Sequence, residues 1–208
     1  MLLRCGFDLV VELPTVYSIS SAENFAEGAI KLLDCFNDVT LSFGSESGNL
    51  PTLNEFADIL YNEPKEYLTI LNHELDKGLS YPKARENAIL FYLNNIRKYS
   101  NILSTPNNIL AIEYLKALLY CNSSIKPVVI ERKGGNYNST TISDDHICSA
   151  TAIRTLLEKD DLKTVKDVVP ETTFDIINNN ILNGKMPMFL RDFEDEILYP
   201  LRKNSSQD

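Results

Sequence analysis

Hydrophobic positions along the chain fall into short blocks whose spacing changes from one block to the next. Asp8-Leu9-Val10-Val11-Glu12-Leu13 is a compact apolar run closed by Pro14, the pattern of a buried strand. Ser20-Ser21-Ala22-Glu23 reads as a capping box. Behind it, Phe25, Ala29, Leu32, Leu33 and Phe36 recur at the spacing of an amphipathic helix. Val39-Thr40-Leu41-Ser42-Phe43 is a second short strand that runs into the loop Gly44-Ser45-Glu46-Ser47-Gly48. Strand, helix and strand with short links predict a βαβ unit and therefore a parallel sheet. Ligands of such sheets bind beyond the carboxyl ends of the strands, and Gly44 follows Phe43 at such an end.

The next blocks read mostly as helices. Thr52-Leu53-Asn54-Glu55 is a second capping box for a helix to about Tyr61, and another helix runs from Pro64 to Gly78. Ser80-Tyr81-Pro82 opens a helix through Ile96. Ser104-Thr105-Pro106-Asn107-Asn108 opens one that ends near Cys121, with Pro106 in its first turn. Thr105 or Ser104 stands where it can cap the free N–H groups of that turn, and those groups suit an anion or a base edge. An ordinary core helix with a capped start fits the same residues. Lys126-Pro127-Val128-Val129-Ile130-Glu131-Arg132 is a third strand, and the stretch from Gly134 to Asp145 is a polar loop. Ser149 caps a helix that begins Ala150-Thr151-Ala152-Ile153-Arg154. Helical pattern continues after Asp160, with segments from Pro170 to Leu182 and Phe189 to Leu201 and a break at Gly184-Lys185-Met186-Pro187. Lys203 to Asp208 is a polar tail of the kind that frays. The fold class is α/β.

Composition narrows the possibilities. A chain of 208 residues, 44% of them hydrophobic, has enough apolar material for one domain, or one and a part. No apolar run approaches the roughly 18 residues of a membrane span. Leu9-Val10-Val11, flanked by Asp8 and Glu12, is too short for a signal peptide. Cys5, Cys35, Cys121 and Cys148 are far apart and form no C-x-x-C, which fits reduced, mostly buried thiols in a cytoplasmic protein. With His73 and His146 as the only histidines, no metal site is expected. The net charge of −9 is unevenly spread. Residues 21–76 carry two basic and eleven acidic side chains, whereas residues 77–148 carry nine basic and five acidic. A basic middle segment leaves nucleic acid open as a partner despite the overall charge.

Three places combine strand ends or helix starts with polar chemistry. Gly44 either lets a ligand approach the backbone or makes a turn. Arg132 and Lys133 end a strand and suit phosphate, or are surface charges. Ser149 and Thr151 offer hydroxyls and N–H groups to a phosphate with Arg154 one turn on, or form an N-cap beside an exposed arginine. His73 lies mid-helix with no partner in sequence, and His146 precedes the Ser149 turn. Walker loop, G-x-G-x-x-G, G-x-S-x-G and H-E-x-x-H patterns do not occur.

Taken in order, these pieces resemble a known family. Asp8-Leu-Val-Val-Glu-Leu-Pro14, Ser21-Ala-Glu23 with Phe25-Ala26, Phe43-Gly-Ser-Glu46 with Gly48, Tyr81-Pro82, Pro106-Asn-Asn-Ile-Leu110 and Ser149-Ala-Thr-Ala-Ile-Arg154 are similar to the bacterial tRNA(Met) cytidine acetate ligases. The resemblance runs from Leu2 to about Arg202. It implies a nucleotidyltransferase-like Rossmann domain over 1–158, followed from 159 to 208 by the start of a helical region. It implies ATP, with Mg2+, and acetate as reactants, acetyl-adenylate as intermediate and the wobble cytidine of elongator tRNA(Met) as acceptor. It implies ATP contacts at Gly44, Asn107, Arg132 and Lys133, with Asn108 serving the local backbone, and possible phosphate contacts at Ser149, Thr151 and Arg154. The family's E-Y-N-P-F-H-x-G-H loop, which carries the catalytic histidines, has no counterpart here, since no H-x-G-H occurs. The expectation is therefore an incomplete Rossmann domain: a fragment lacking the first strand, that loop and part of the C-terminal region, with its catalytic residues unknown. Two other readings remain open: a generic nucleotidyltransferase acting on a small cofactor precursor, and an inactive remnant.

Overall fold

The computed structural model describes residues 1–94, 99, 102–132 and 148–204. They group into two compact units, residues 11–133 and residues 1–10 with 134–208. The expected boundary at residue 158 falls inside the second unit.

In residues 11–133, two strands form a parallel pair, β1 (Thr40–Ser45) and β2 (Lys126–Glu131). Thr40 stands opposite Lys126 and Ser45 opposite Glu131. Helices α1 (Thr15–Ser18) and α2 (Ala22–Leu33) precede the pair. Between its strands run α3 (Leu50–Asn62), α4 (Lys65–Asp76), α5 (Tyr81–Tyr92) and α6 (Pro106–Tyr120). A parallel connection needs such a crossover, so the helices follow from the strand direction. Helix α6 is the hub, packed against α2, α3 and β1. Ile30, Leu53, Phe56, Ile89 and, on α6 itself, Ile112 are fully buried in the core. On β1 every second residue turns inward, burying Phe43 and Ser45, and the Phe43 ring lies 5.7 Å from that of Tyr114 on α6.

Several local expectations shift by a few residues, each for a visible reason. Ser21 rather than Ser20 is the N-cap of α2, accepting the Asn24 N–H, and this leaves Glu23 to reach Lys116 instead of closing a capping box. Helix α3 starts at Leu50, capped by Asn49 on the Thr52 N–H, because Pro51 suits its first turn. Glu55, which the pattern assigned to a cap, accepts the Tyr99 hydroxyl at 3.0 Å.

The expected strand at 8–13 does not form. Among the described residues only β1 and β2 pair, and Leu9, Val10 and Val11 are 63%, 47% and 49% exposed. A strand needs a neighbour for its backbone N–H and C=O groups, and these residues have none in the sheet. Nor are the thiols mostly buried: Cys5 and Cys35 are exposed, and Cys121 and Cys148 half-buried. All four are free. His73 is exposed on α4.

The second unit is helical where described. It contains a 3-10 turn at Leu2–Cys5, α7 (Ala150–Glu158), α8 (Leu162–Val168), α9 (Glu171–Leu182), a 3-10 turn at Leu190–Phe193 and α10 (Glu194–Asn204). Ala152, Val165 and Ile177 are buried in it. Asp161 caps α8 by accepting both the backbone N–H and the hydroxyl of Thr164. No helix among the described residues is long and apolar enough to cross a membrane.

Candidate functional site

The carboxyl ends of β1 and β2 meet the N-terminus of α6, and the contact is built from hydrogen bonds. Arg132 follows β2 directly, and its N–H donates to the Ser45 carbonyl at 2.9 Å, carrying the ladder one residue beyond the strand. Its guanidinium turns back across β1. A Cβ on Gly44 would stand 3.2 Å from Arg132 Cγ and 3.5 Å from Cδ, so a glycine there leaves room for the arginine stem. Gly44 lies inside β1 rather than in a turn, which removes the turn reading of this residue.

Arg132 Nη1 donates to Asn107 Oδ1 at 2.9 Å. Asn107 Nδ2 donates to Glu46 Oε1 at 2.6 Å. The backbone N–H groups of Asn107 and Asn108 donate to the same carboxylate, at 3.2 Å to Oε1 and 2.7 Å to Oε2. Glu46 therefore fills the N-terminus of α6, which the sequence left open to an anion, a base edge or an ordinary capped start. Thr105 is the N-cap by position but makes no side-chain cap bond. An anion at this end of a helix is favoured by the helix dipole as well as by the donors. Asn108, 2% exposed, accepts the Ser47 N–H at 3.1 Å, serving the backbone of the loop after β1. Ser45 accepts the Gly48 N–H at 2.9 Å and closes that loop.

Burial works to raise the Glu46 pKa, but the Asn107 amide and the backbone N–H groups of Glu46, Asn107 and Asn108 outweigh it and hold the carboxyl below its ordinary value of 4.5. The sign follows from the depressed value. The stabilisation is fully present above pH 4.5 and disappears as pH falls through the lowered folded value. A carbon-13 NMR titration of the Glu46 carboxyl is expected to give a midpoint below 4.5 in the folded chain.

Gly48 sits at φ +59, and a Cβ there would come within 2.7 Å of Glu131 Cβ. Left-handed backbone and steric overlap act together, so Gly48→Ala is expected to cost about 2 kcal/mol in urea unfolding.

Gly44, Asn107 and Arg132 thus come together, whereas Lys133 and His146 lie outside the described residues. Ser149, Thr151 and Arg154 belong to the other unit. There Ser149 Oγ accepts the Ala152 N–H at 3.0 Å and caps α7, while Thr151 and Arg154 are exposed on its opening turns. Glu46 was not singled out by sequence. Its signals are its place in the Phe43-Gly-Ser-Glu46 piece and a gap at α6, which has Asn108 where a capping box would place Glu or Gln, so the acceptor comes from 62 residues away. Among the described residues, Arg132 pairs with no carboxylate, and its guanidinium is held by Asn107.

A separate cavity of about 390 Å³ opens among α2, α3, α5 and α6. Its lining includes Glu23, Arg85, Glu113 and Lys116 but none of the strand-end residues. These four side chains are engaged with one another: Arg85 donates to Glu113 at 2.7 Å, and Lys116 bridges Glu113 and Glu23.

The chain is similar to several known proteins. The tRNA(Met) cytidine acetate ligase of Caldanaerobacter subterraneus subsp. tengcongensis is 46% identical over 203 residues, which is 97% of this chain and 50% of that protein. The ligase of the same name from Halothermothrix orenii is 43% identical over 211 residues, 98% of this chain and 50% of that protein. The chain thus spans about half the length of the curated relatives it matches. Crystal structures of Thermotoga maritima TmcAL superpose on 92% of this chain. The apo form gives a TM-score of 0.87 at 38% identity and is covered to 46% of its length. The form bound with alpha-thio ATP gives 0.83 at 36% identity and is covered to 45%. The parallel sheet expected from sequence is accordingly that of a nucleotidyltransferase-like fold. The model of one family, the HIGH nucleotidyl transferases, matches residues 1–208, the whole of this sequence, and the chain belongs to that family.

Proposed function

We propose that this chain is the part of an ATP-dependent tRNA(Met) cytidine acetate ligase that forms one wall of its ATP site. In the reaction, an acetate oxygen attacks the α-phosphorus of ATP and pyrophosphate leaves. The exocyclic amine of the wobble cytidine of elongator tRNA(Met) then attacks the acetyl carbonyl, and AMP leaves. The observation that carries this reading is the Arg132 guanidinium, held at the ends of two parallel strands by Asn107. Strand ends of this kind are where open α/β sheets take ligands.

The residues fit a nucleotide. Gly44 and Asn107 border exposed space at the strand ends, and in this reading they take the adenosine side. Arg132, and Lys133 after it, meet the phosphates and offset the charge that develops as pyrophosphate departs. Within the other unit, Ser149, Thr151 and Arg154 are proposed to suit a phosphate, supported by an exposed arginine one turn into a capped helix. Lysines and arginines between 77 and 133 contribute to holding the tRNA backbone. Mg2+ would be carried by phosphate oxygens and water, as is usual for Mg2+–nucleotide complexes. Among the described residues no group of three His, Cys, Asp or Glu side chains could cage a metal.

The test is a chimera. This chain replaces the matching 203-residue stretch of the Caldanaerobacter ligase. Acetylated cytidine in tRNA(Met), dependent on both ATP and acetate, is the expected product. Transfer of labelled AMP to a small acceptor, with no acetylated tRNA, would favour a generic nucleotidyltransferase instead. ATP turnover in neither form would favour the inactive remnant.

A further inference from the structure

The side chain of Asn107 is fixed between two charged groups. Its Nδ2 donates to Glu46 Oε1 at 2.6 Å, and its Oδ1 accepts from Arg132 Nη1 at 2.9 Å. The two ends of a carboxamide have nearly the same shape, so only their partners decide which end faces where. An ionised carboxylate accepts and cannot donate, and therefore selects Nδ2. Turned over, the amide would set Oδ1 against the Glu46 carboxylate and Nδ2 against the guanidinium, replacing two attractive contacts with two repulsive ones.

Glu46 is itself well placed to act as a fixed reference. The α6 N–H groups of Asn107 and Asn108 both donate to it. The loop that carries it is tied down by Asn108 on the Ser47 N–H and by Ser45 on the Gly48 N–H. Backbone, carboxylate, amide and guanidinium thus form one chain of hydrogen bonds running from the helix to the strand ends. We propose that Glu46 is a positioning residue that sets the orientation of the Asn107 amide and, through it, aims the Arg132 guanidinium across the ends of β1 and β2. Its consequence for catalysis rests on the reading of Arg132 as a phosphate contact, but the aiming itself is a property of the chain without ligand. A residue that only capped α6 would affect helix stability and leave the direction of Arg132 unchanged.

The experiment uses the full chain, with ATP as the probe, in two arms. The first is nitrogen-15 NMR without ligand. In the wild-type chain, the Asn107 amide protons are expected to resonate downfield and Arg132 to show restricted rotation of its guanidinium. Glu46→Gln keeps the volume and one acceptor oxygen. It is expected to lose the downfield shift and release that rotation while α6 stays folded by circular dichroism. Unchanged Asn107 and Arg132 signals in Glu46→Gln would overturn the proposal. The second arm is ATP calorimetry on Glu46→Ala, Asn107→Ala and the double variant. Because Glu46 acts through Asn107, each single variant is expected to weaken binding about tenfold, and the double variant no further than Asn107→Ala alone. Losses that multiply to about a hundredfold in the double variant would overturn it. If the wild-type chain binds no ATP, the nucleotide reading fails and the NMR arm alone decides the positioning claim.

Discussion

Glu113→Ala is expected to destabilise residues 11–133 by about 3 kcal/mol, read as a shift in the urea midpoint at constant slope. Glu113 is on α6 and only 2% exposed. Its Oε1 receives Arg85 Nη2 at 2.7 Å, and Lys116 Nζ stands 2.9 Å from Oε2. That second contact is an ion pair without hydrogen-bond alignment, since Oε2 receives no hydrogen bond despite the short distance. Burial works against the charged form of Lys116, but the Glu23 and Glu113 carboxylates outweigh it and raise its pKa. Removing Glu113 leaves Arg85, on α5, and Lys116 mostly shielded from water, with one carboxylate fewer between them. The cost is therefore chiefly that of two under-compensated charges, and the bridge between α5 and α6 goes with it. Glu113→Gln keeps an acceptor for Arg85 and is expected to lose less than the alanine variant. Equal losses in both would place the effect in packing rather than charge.

Arg132→Met is expected to weaken ATP binding about tenfold to a hundredfold. A hydrogen bond to a charged group contributes roughly 1.5–3 kcal/mol, which covers that range. Methionine keeps much of the aliphatic stem that passes Gly44, so the sheet end stays filled while the charge is lost. Arg132 is exposed, and the variant is expected to unfold within about 0.5 kcal/mol of wild type. A large affinity loss with unchanged stability separates a binding residue from a structural one. Arg132→Lys restores charge but not the planar fork that meets Asn107, and an intermediate affinity is expected.

How far the sequence could be read depended on whether a feature was local. Pro106 marked the start of α6 and Gly78 the end of α4 because each acts through its own backbone. Ser149 was placed as a cap for the same reason, three residues from the N–H it accepts. Glu46 was missed because the donors it serves lie 61 and 62 residues further along. Residues 8–13 carry the composition of a strand, but composition does not reveal whether another strand lies beside it. Gly44 was recognised as a strand-end glycine, while its function of clearing space for Arg132 emerges only when β1 and β2 lie side by side. Asn107 and Arg132 were legible as polar groups at a helix start and a strand end. That they meet was not legible, because their contact is made by the parallel crossover.

Gly44, Asn107 and Arg132 are proposed to form one wall of an ATP site. Calorimetric titration of ATP into the full chain, beside Asn107→Ala and Arg132→Met, tests it most directly. Saturable binding, weakened at least about tenfold by either substitution, is the predicted result. Absence of binding, or an affinity that neither substitution changes, would contradict the account.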